Sequence, residues 1–160
     1  MIKLDPDKPL AARPSQDQPV ILVVTRNGHL TEGVMEYSLN VAGRLNHRLL
    51  VAYVNTMPFL WDGAFRSQRF AFAVNDSINT FKERSQKRGV IVSHVRESGK
   101  IGRVVSRLCR TLKKIEFIIV DEGVSVEKIV SRSPVPVFNV DNKVGAFLRD
   151  YQLISSHFMP

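Results

Sequence analysis

Cysteine is almost missing: Cys109 is the one thiol in 160 residues, so no disulfide can form within the chain. It lies inside a helical pattern, which marks it as a core residue and fits a reducing, cytoplasmic setting. No apolar run approaches the roughly 20 residues that a membrane-spanning helix needs, and the first residues, with Asp5, Asp7 and prolines, do not resemble a signal peptide. The four histidines, His29, His47, His94 and His157, are not spaced as metal ligands, so no metal and no cofactor is expected. No catalytic constellation can be recognised, and the expectation is a protein that is not an enzyme. Acid is also scarce. Lys and Arg number 23 against 15 Asp and Glu, a formal charge of +8, which favours anionic partners without saying anything of the fold.

What is present begins with 20–54. Val20-Ile21-Leu22-Val23-Val24 is a continuous apolar run of strand length, as in a strand buried on both faces. Thr31 is placed to act as an N-cap, Glu32 puts acid in the first turn, and Val34, Tyr37, Val41, Ala42 and Leu45 recur along one helical face until Asn46. Leu49 to Val54 is a second buried strand, and so short a strand, helix, strand unit means parallel strands joined by a right-handed crossover. The fold class is α/β.

Further along, 68–88 is helical by period, with Phe70, Val74, Ile78 and Phe81 on one side, and Val90 to Val95 is a third strand. Ile101, Val104, Val105, Leu108, Leu112 and Ile115 line a helix over 101–114. Its other face is basic, carrying Arg103, Arg107, Arg110 and Lys114 with Lys113 alongside. Phe117 to Val120 is a fourth strand, Val126 to Ser131 a short helix and Val135 to Val140 a fifth strand. The organisation expected is a flexible leader over 1–18, one domain over 19–141 and an extension over 142–160 with a short helix. The loop holding Phe59, Leu60, Trp61 and Phe65 is too apolar to stay in water and folds over its own domain or meets a partner.

Five strands alternating with helices predict a five-stranded, parallel, doubly wound sheet in the order 3-2-1-4-5, with ligands at the carboxyl ends where strand order reverses. That crevice would be lined by Thr25 to His29 on one side and Asp121 to Ser125 on the other.

Ile21 to Val54 and Gly123 to Val140 resemble the universal stress protein family. The helix Thr31 to Leu45 is similar to the family's S-E-x-A-L-x-x-A-x-x-L. Gly123, Glu127, Ile129, Pro134, Pro136, Val137 and Val140 meet its closing G-S-V-S-E-x-V-x-x-x-x-P-x-P-V-x-V pattern. The resemblance implies the same flavodoxin-like or Rossmann-like sheet and a stress-response role. It also implies a homodimer paired through the last strand, with Val135, Val137, Phe138 and Val140 at the interface. Members that bind ATP carry a G-x-x-G-x9-G-[ST] loop after strand four. Here Gly123 alone matches it, Val124 stands where the hydroxyl residue would be, and Arg26 replaces the acid at the end of strand one.

The function expected is therefore a non-enzymatic regulatory domain that does not bind ATP and acts through dimerisation and a macromolecular partner. Asp121 and Glu122 would repel a triphosphate, and Arg26 would pair with one of them across the crevice. One alternative is an AMP or ATP sensor with a modified site, built from Thr25, Arg26, Asn27, Val54, Gly123, Val124 and Ser125. The other is a basic module whose stripe of Arg103, Arg107, Arg110 and Lys114 meets nucleic acid, an acidic membrane or a transporter.

Overall fold

The structure is a computed structural model; it describes residues 18–26, 28–56 and 63–140, with 63–67 described by backbone alone. The expected leader, the apolar side chains from Phe59 to Phe65, Asn27 and the helical tail past Val140 lie outside the described residues.

Five parallel strands form one sheet in the order β3-β2-β1-β4-β5, as the alternation of elements predicts. The central strand β1 (Val20–Thr25) is buried along its whole length. It pairs with β2 (Arg48–Asn55) on one side and β4 (Ile115–Val120) on the other, Val24 standing beside Ala52 and Val120. Strand periodicity of two then decides which layer each side chain joins. Ile21 and Val23 pack with Leu49, Val51, Phe117 and Ile119 beneath α1 (Glu32–Leu45) and α2 (Gly63–Arg88). Leu22 and Val24 pack with Ala52, Val54, Ile118 and Val120 beneath α3 (Ile101–Thr111) and α4 (Val126–Val130).

Several boundaries depart from the sequence reading. Helix α2 starts at Gly63, where Gly63 was read as a loop residue; the following Ala64, Phe65 and Arg66 extend a helix that Gly opens. Strand β3 runs Val92–Ser98, later than expected, because as an edge strand it mixes Ser93, His94, Arg96 and Glu97 with apolar residues and weakens the pattern. Helix α3 stops at Thr111 and leaves Leu112 exposed, not on the buried face. Strand β5 is only Val137–Asn139.

Thr31 does occupy the N-cap of α1 in extended geometry, but its hydroxyl makes no cap bond; it donates to Asp121 at 2.6 Å. Asn46 ends α1 in the left-handed region, with φ 55°, a conformation Asn adopts more readily than most residues.

Candidate functional site

The loops that leave β1, β2, β3 and β4 all emerge at one end of the sheet, because every strand is parallel. Between the ends of β1 and β4, on the α3–α4 side, they enclose a cavity of about 610 Å³, a size typical of small-molecule sites. Arg26 reaches it from the end of β1, Thr56 from β2, and Lys100, Ile101, Gly102 and Arg103 from the start of α3. Gly123, Val124 and Ser125 follow β4, and Lys128, Ser131 and Arg132 come from α4 and its exit.

Charge is the dominant property of this lining. Arg26, Lys100, Arg103, Lys128 and Arg132 all border the cavity and no described carboxylate does. None of the five side chains forms an ion pair with a described residue. Helix α3 adds partial positive charge, since its bonding begins with the Arg103 and Val104 amides on the Lys100 carbonyl. The amides of Ile101 and Gly102 are thereby left outside the helical ladder at the positive end of the dipole.

Two glycines set the geometry. A Cβ on Gly102 would stand 2.8 Å from the Lys128 carbonyl, so α3 can lie against α4 only without a side chain there. Gly123 has φ +78°, and Arg26 Nε lies 3.9 Å from where its Cβ would be; the left-handed turn lets the guanidinium lie over the loop.

Asp121 does not face the cavity. It is 2 % exposed. Its Oδ2 accepts from the Thr25 hydroxyl at 2.9 Å and the Thr31 amide at 3.3 Å, and its Oδ1 accepts from the Thr31 hydroxyl at 2.6 Å and the Glu122 amide at 2.8 Å. The expected pairing of Arg26 with Asp121 or Glu122 is therefore not found: Arg26 is exposed and pairs with no described carboxylate. Neutral hydroxyl and amide donors already satisfy the buried acid, with no guanidinium to desolvate. The repulsion that Asp121 was expected to exert on a phosphate falls away with its inward turn.

Of the residues proposed for a modified nucleotide site, Arg26, Gly123, Val124 and Ser125 line the cavity. Thr25 and Val54 are fully buried below it, and Asn27 lies outside the described residues. The basic stripe of α3 is divided. Arg103 turns to the cavity, Arg107 reaches Glu97 at 2.5 Å, and Arg110 and Lys114 are exposed away from it. Lys100, Thr56, Lys128, Ser131 and Arg132 were not anticipated; Lys128 on the short helix and Arg132 just past its end, four residues apart, were the one available signal.

The histidines take structural places. His47 is buried at the opposite end of the sheet, with Nδ1 2.7 Å from the Leu45 carbonyl and Nε2 2.6 Å from Glu116. His94 stacks on Tyr53 and meets Phe81 edge-on, and burial pushes its pKa down to about 4. Its Nδ1 lies 3.3 Å from the Tyr53 hydroxyl, whose own pKa is raised by burial. His29 lies exposed 4.0 Å from Asp76. No group of three His, Cys, Asp or Glu that could hold a metal occurs among the described residues, and none of their helices is long and apolar enough to cross a membrane.

Val135 and Val137 pack against the α3–α4 core, whereas Phe138 and Val140 pack against the α1–α2 core, with Phe138 edge-on to Phe117 at 5.4 Å. Val140 is buried in its own domain, whereas Val135, Val137 and Phe138 are half-buried and each keeps part of its surface exposed beside the β5 backbone.

No family model and no curated protein matches the chain. Solved structures do. A universal stress protein family member from Burkholderia pseudomallei aligns with TM-score 0.62 at 18% identity, over 79% of this chain and 98% of that one. A universal stress protein family protein from Arabidopsis thaliana with AMP bound gives 0.58 at 14%, over 79% and 94%. The universal stress protein from Archaeoglobus fulgidus in complex with dAMP gives 0.58 at 8%, over 78% and 98%. At such identities the likeness is one of architecture: the chain has the universal stress protein fold.

Proposed function

We propose that this chain is a regulatory domain of the universal stress protein kind that binds a small phosphate-bearing anion in the crevice between β1 and β4 and performs no chemistry on it. The observation that carries this is the lining: five cations from four different loops and helices border one cavity, and no described acid accompanies them. Gathering like charge without partners is unfavourable, and an anion seated among them relieves it. The nucleotides bound by the Arabidopsis and Archaeoglobus proteins support a phosphate ligand for this fold. The lost glycine loop shifts the recognition, in this reading, from the β4 exit toward α3 and α4. No described histidine, cysteine or carboxylate lines the cavity, which is why binding and not catalysis is proposed.

Isothermal titration with pyrophosphate, AMP and ATP tests it. Binding should weaken about tenfold or more between 50 and 300 mM salt, as expected for several ion contacts made at once. The Arg103→Gln, Arg132→Gln double variant should lose it, and absence of heat with every phosphate ligand would end the proposal.

Assembly is a second part of the reading. Among the described residues strand β5 pairs with β4 alone and no strand lies along its other edge. A second copy adding its own β5 there would close the edge and make the domain a homodimer, through which an occupied crevice could be presented to a macromolecular partner. The Pro136 carbonyl accepts from Ile118, so by alternation the Asn139 amide faces away from β4. Sedimentation of Asn139→Pro, which has no such donor, should show monomer where the parent chain shows dimer.

A further inference from the structure

We infer that the crevice reads a chain of linked phosphates and not the nucleoside attached to it, so that its ligand is an inorganic di- or triphosphate or the polyphosphate end of any nucleotide. The inference rests on the anion-site reading above and narrows it.

Hydrogen-bonding capacity is the first argument. Arg and Lys side chains are donors with no acceptor, and Arg26, Lys100, Arg103, Lys128 and Arg132 supply most of the polar lining. The free amides at the start of α3 are donors as well. A phosphate chain consists of acceptors, so every lining donor has a use. A purine edge offers donors and acceptors together, and a ribose diol is ordinarily met by a carboxylate. No described lining residue is a carboxylate, a side-chain amide or an aromatic ring on which a base could stack. The hydroxyls of Thr56, Ser125 and Ser131 are the side-chain acceptors available, and hydroxyls donate equally well to phosphate.

Charge is the second. A single phosphate monoester brings about −2 at neutral pH, which leaves most of five unpaired cations uncompensated; two or three linked phosphates come closer to balance. Spread is the third. Arg26 lies at the end of β1, Lys100 and Arg103 at the start of α3, and Lys128 and Arg132 on and after α4, so the cations come from three separate parts of the chain. An extended anion with several charged groups suits such a distribution.

The test is titration of the full chain with sodium tripolyphosphate, ATP, GTP and AMP in magnesium-free buffer at one ionic strength. Tripolyphosphate, ATP and GTP should bind within about threefold of one another, and AMP about tenfold or more weaker, that step being about 1.4 kcal/mol. Lys128→Gln with Arg132→Gln, both exposed positions, should lower tripolyphosphate affinity more than AMP affinity at an unchanged urea midpoint. If ATP exceeds tripolyphosphate or GTP by more than about threefold, or AMP equals tripolyphosphate, recognition of the phosphate chain is overturned while the anion site stands. If none of the four binds, the anion site itself falls.

Discussion

On the α1–α2 layer, Arg84 reaches Glu32 and Glu36 at 2.7 Å each, and Arg88 reaches Glu36 and Asn40. On the α3–α4 layer, five cations face a cavity without a described acid to answer them. The residue types are the same and their surroundings are opposite. On the first layer the cations join two helices, so their charge is spent inside the fold. On the second they border one cavity and form no ion pair with a described residue. A basic composition alone does not distinguish these cases; the partner of each cation does.

Asp121 is where the two layers meet, and removing it should break the contrast most. It ties the exit of β4 to Thr25 and to the start of α1. In Asp121→Ala the donors of Thr25, Thr31 and Glu122 lose their shared acceptor, at a cost of about 3 kcal/mol. Urea unfolding should show that loss. Anion affinity should fall with it, because the loop from Glu122 to Ser125 is no longer anchored.

Two glycine substitutions separate the layers. A Cβ on Gly28 would lie 2.6 Å from Ala73 Cβ and 2.8 Å from the Phe70 carbonyl, on the α2 side. One on Gly102 would press on the Lys128 carbonyl. Each Gly→Ala change overpacks a backbone contact and should cost about 2 kcal/mol. Gly28→Ala should lower anion affinity less than Gly102→Ala does, since α2 does not line the cavity and only Arg26 is near the change. Gly102→Ala should lower it, because the displaced α4 carries Lys128 and Arg132. Equal effects on binding would erase the distinction.

A pH dependence should belong to the closed layer. His94, packed on Tyr53 and Phe81, has a folded pKa of about 4, below the 6.5 or so of an unfolded chain. Between those values the unfolded state binds the proton and the folded state does not, so stability should fall as pH drops through that window and level off below about 4. The ring is only half-buried, which limits the loss to about 1 to 2 kcal/mol. Urea midpoints at pH 7 and 4.5 should differ in the parent chain and converge in His94→Phe.

The central unit was legible because its signals are local. The run from Val20 to Val24, the helical period from Val34 to Leu45 and the run from Leu49 to Val54 each fit one element, and strand order followed from their alternation. The crevice was legible only in outline. The rule about strand-order reversal located Arg26 and the loop from Gly123 to Ser125. Lys100, Lys128 and Arg132 belong to separate elements, and only the placement of α4 against α3, through Gly102, brings them to Arg26. The partner of Asp121 was missed for a similar reason. Thr31 lies 90 residues away and carries an N-cap signature, which gave its hydroxyl an obvious local use.

The smallest effects make the most direct test, because they come from changing one arginine on each layer. Arg84 is partly exposed and holds Glu32 and Glu36; exposed pairs of this kind contribute about 0.5 kcal/mol. Arg84→Gln should therefore lower the urea midpoint slightly and leave phosphate titration unchanged. Arg103 is exposed, lines the cavity and has no described partner. Arg103→Gln removes one of five like charges, so the midpoint should stay level or rise slightly at low salt, since repulsion among the remaining four is reduced. Anion affinity in that variant should fall, and the slope of log affinity against log salt should flatten by about one ion. If Arg103→Gln destabilises the fold as Arg84→Gln does and leaves titration untouched, both layers use their charge structurally.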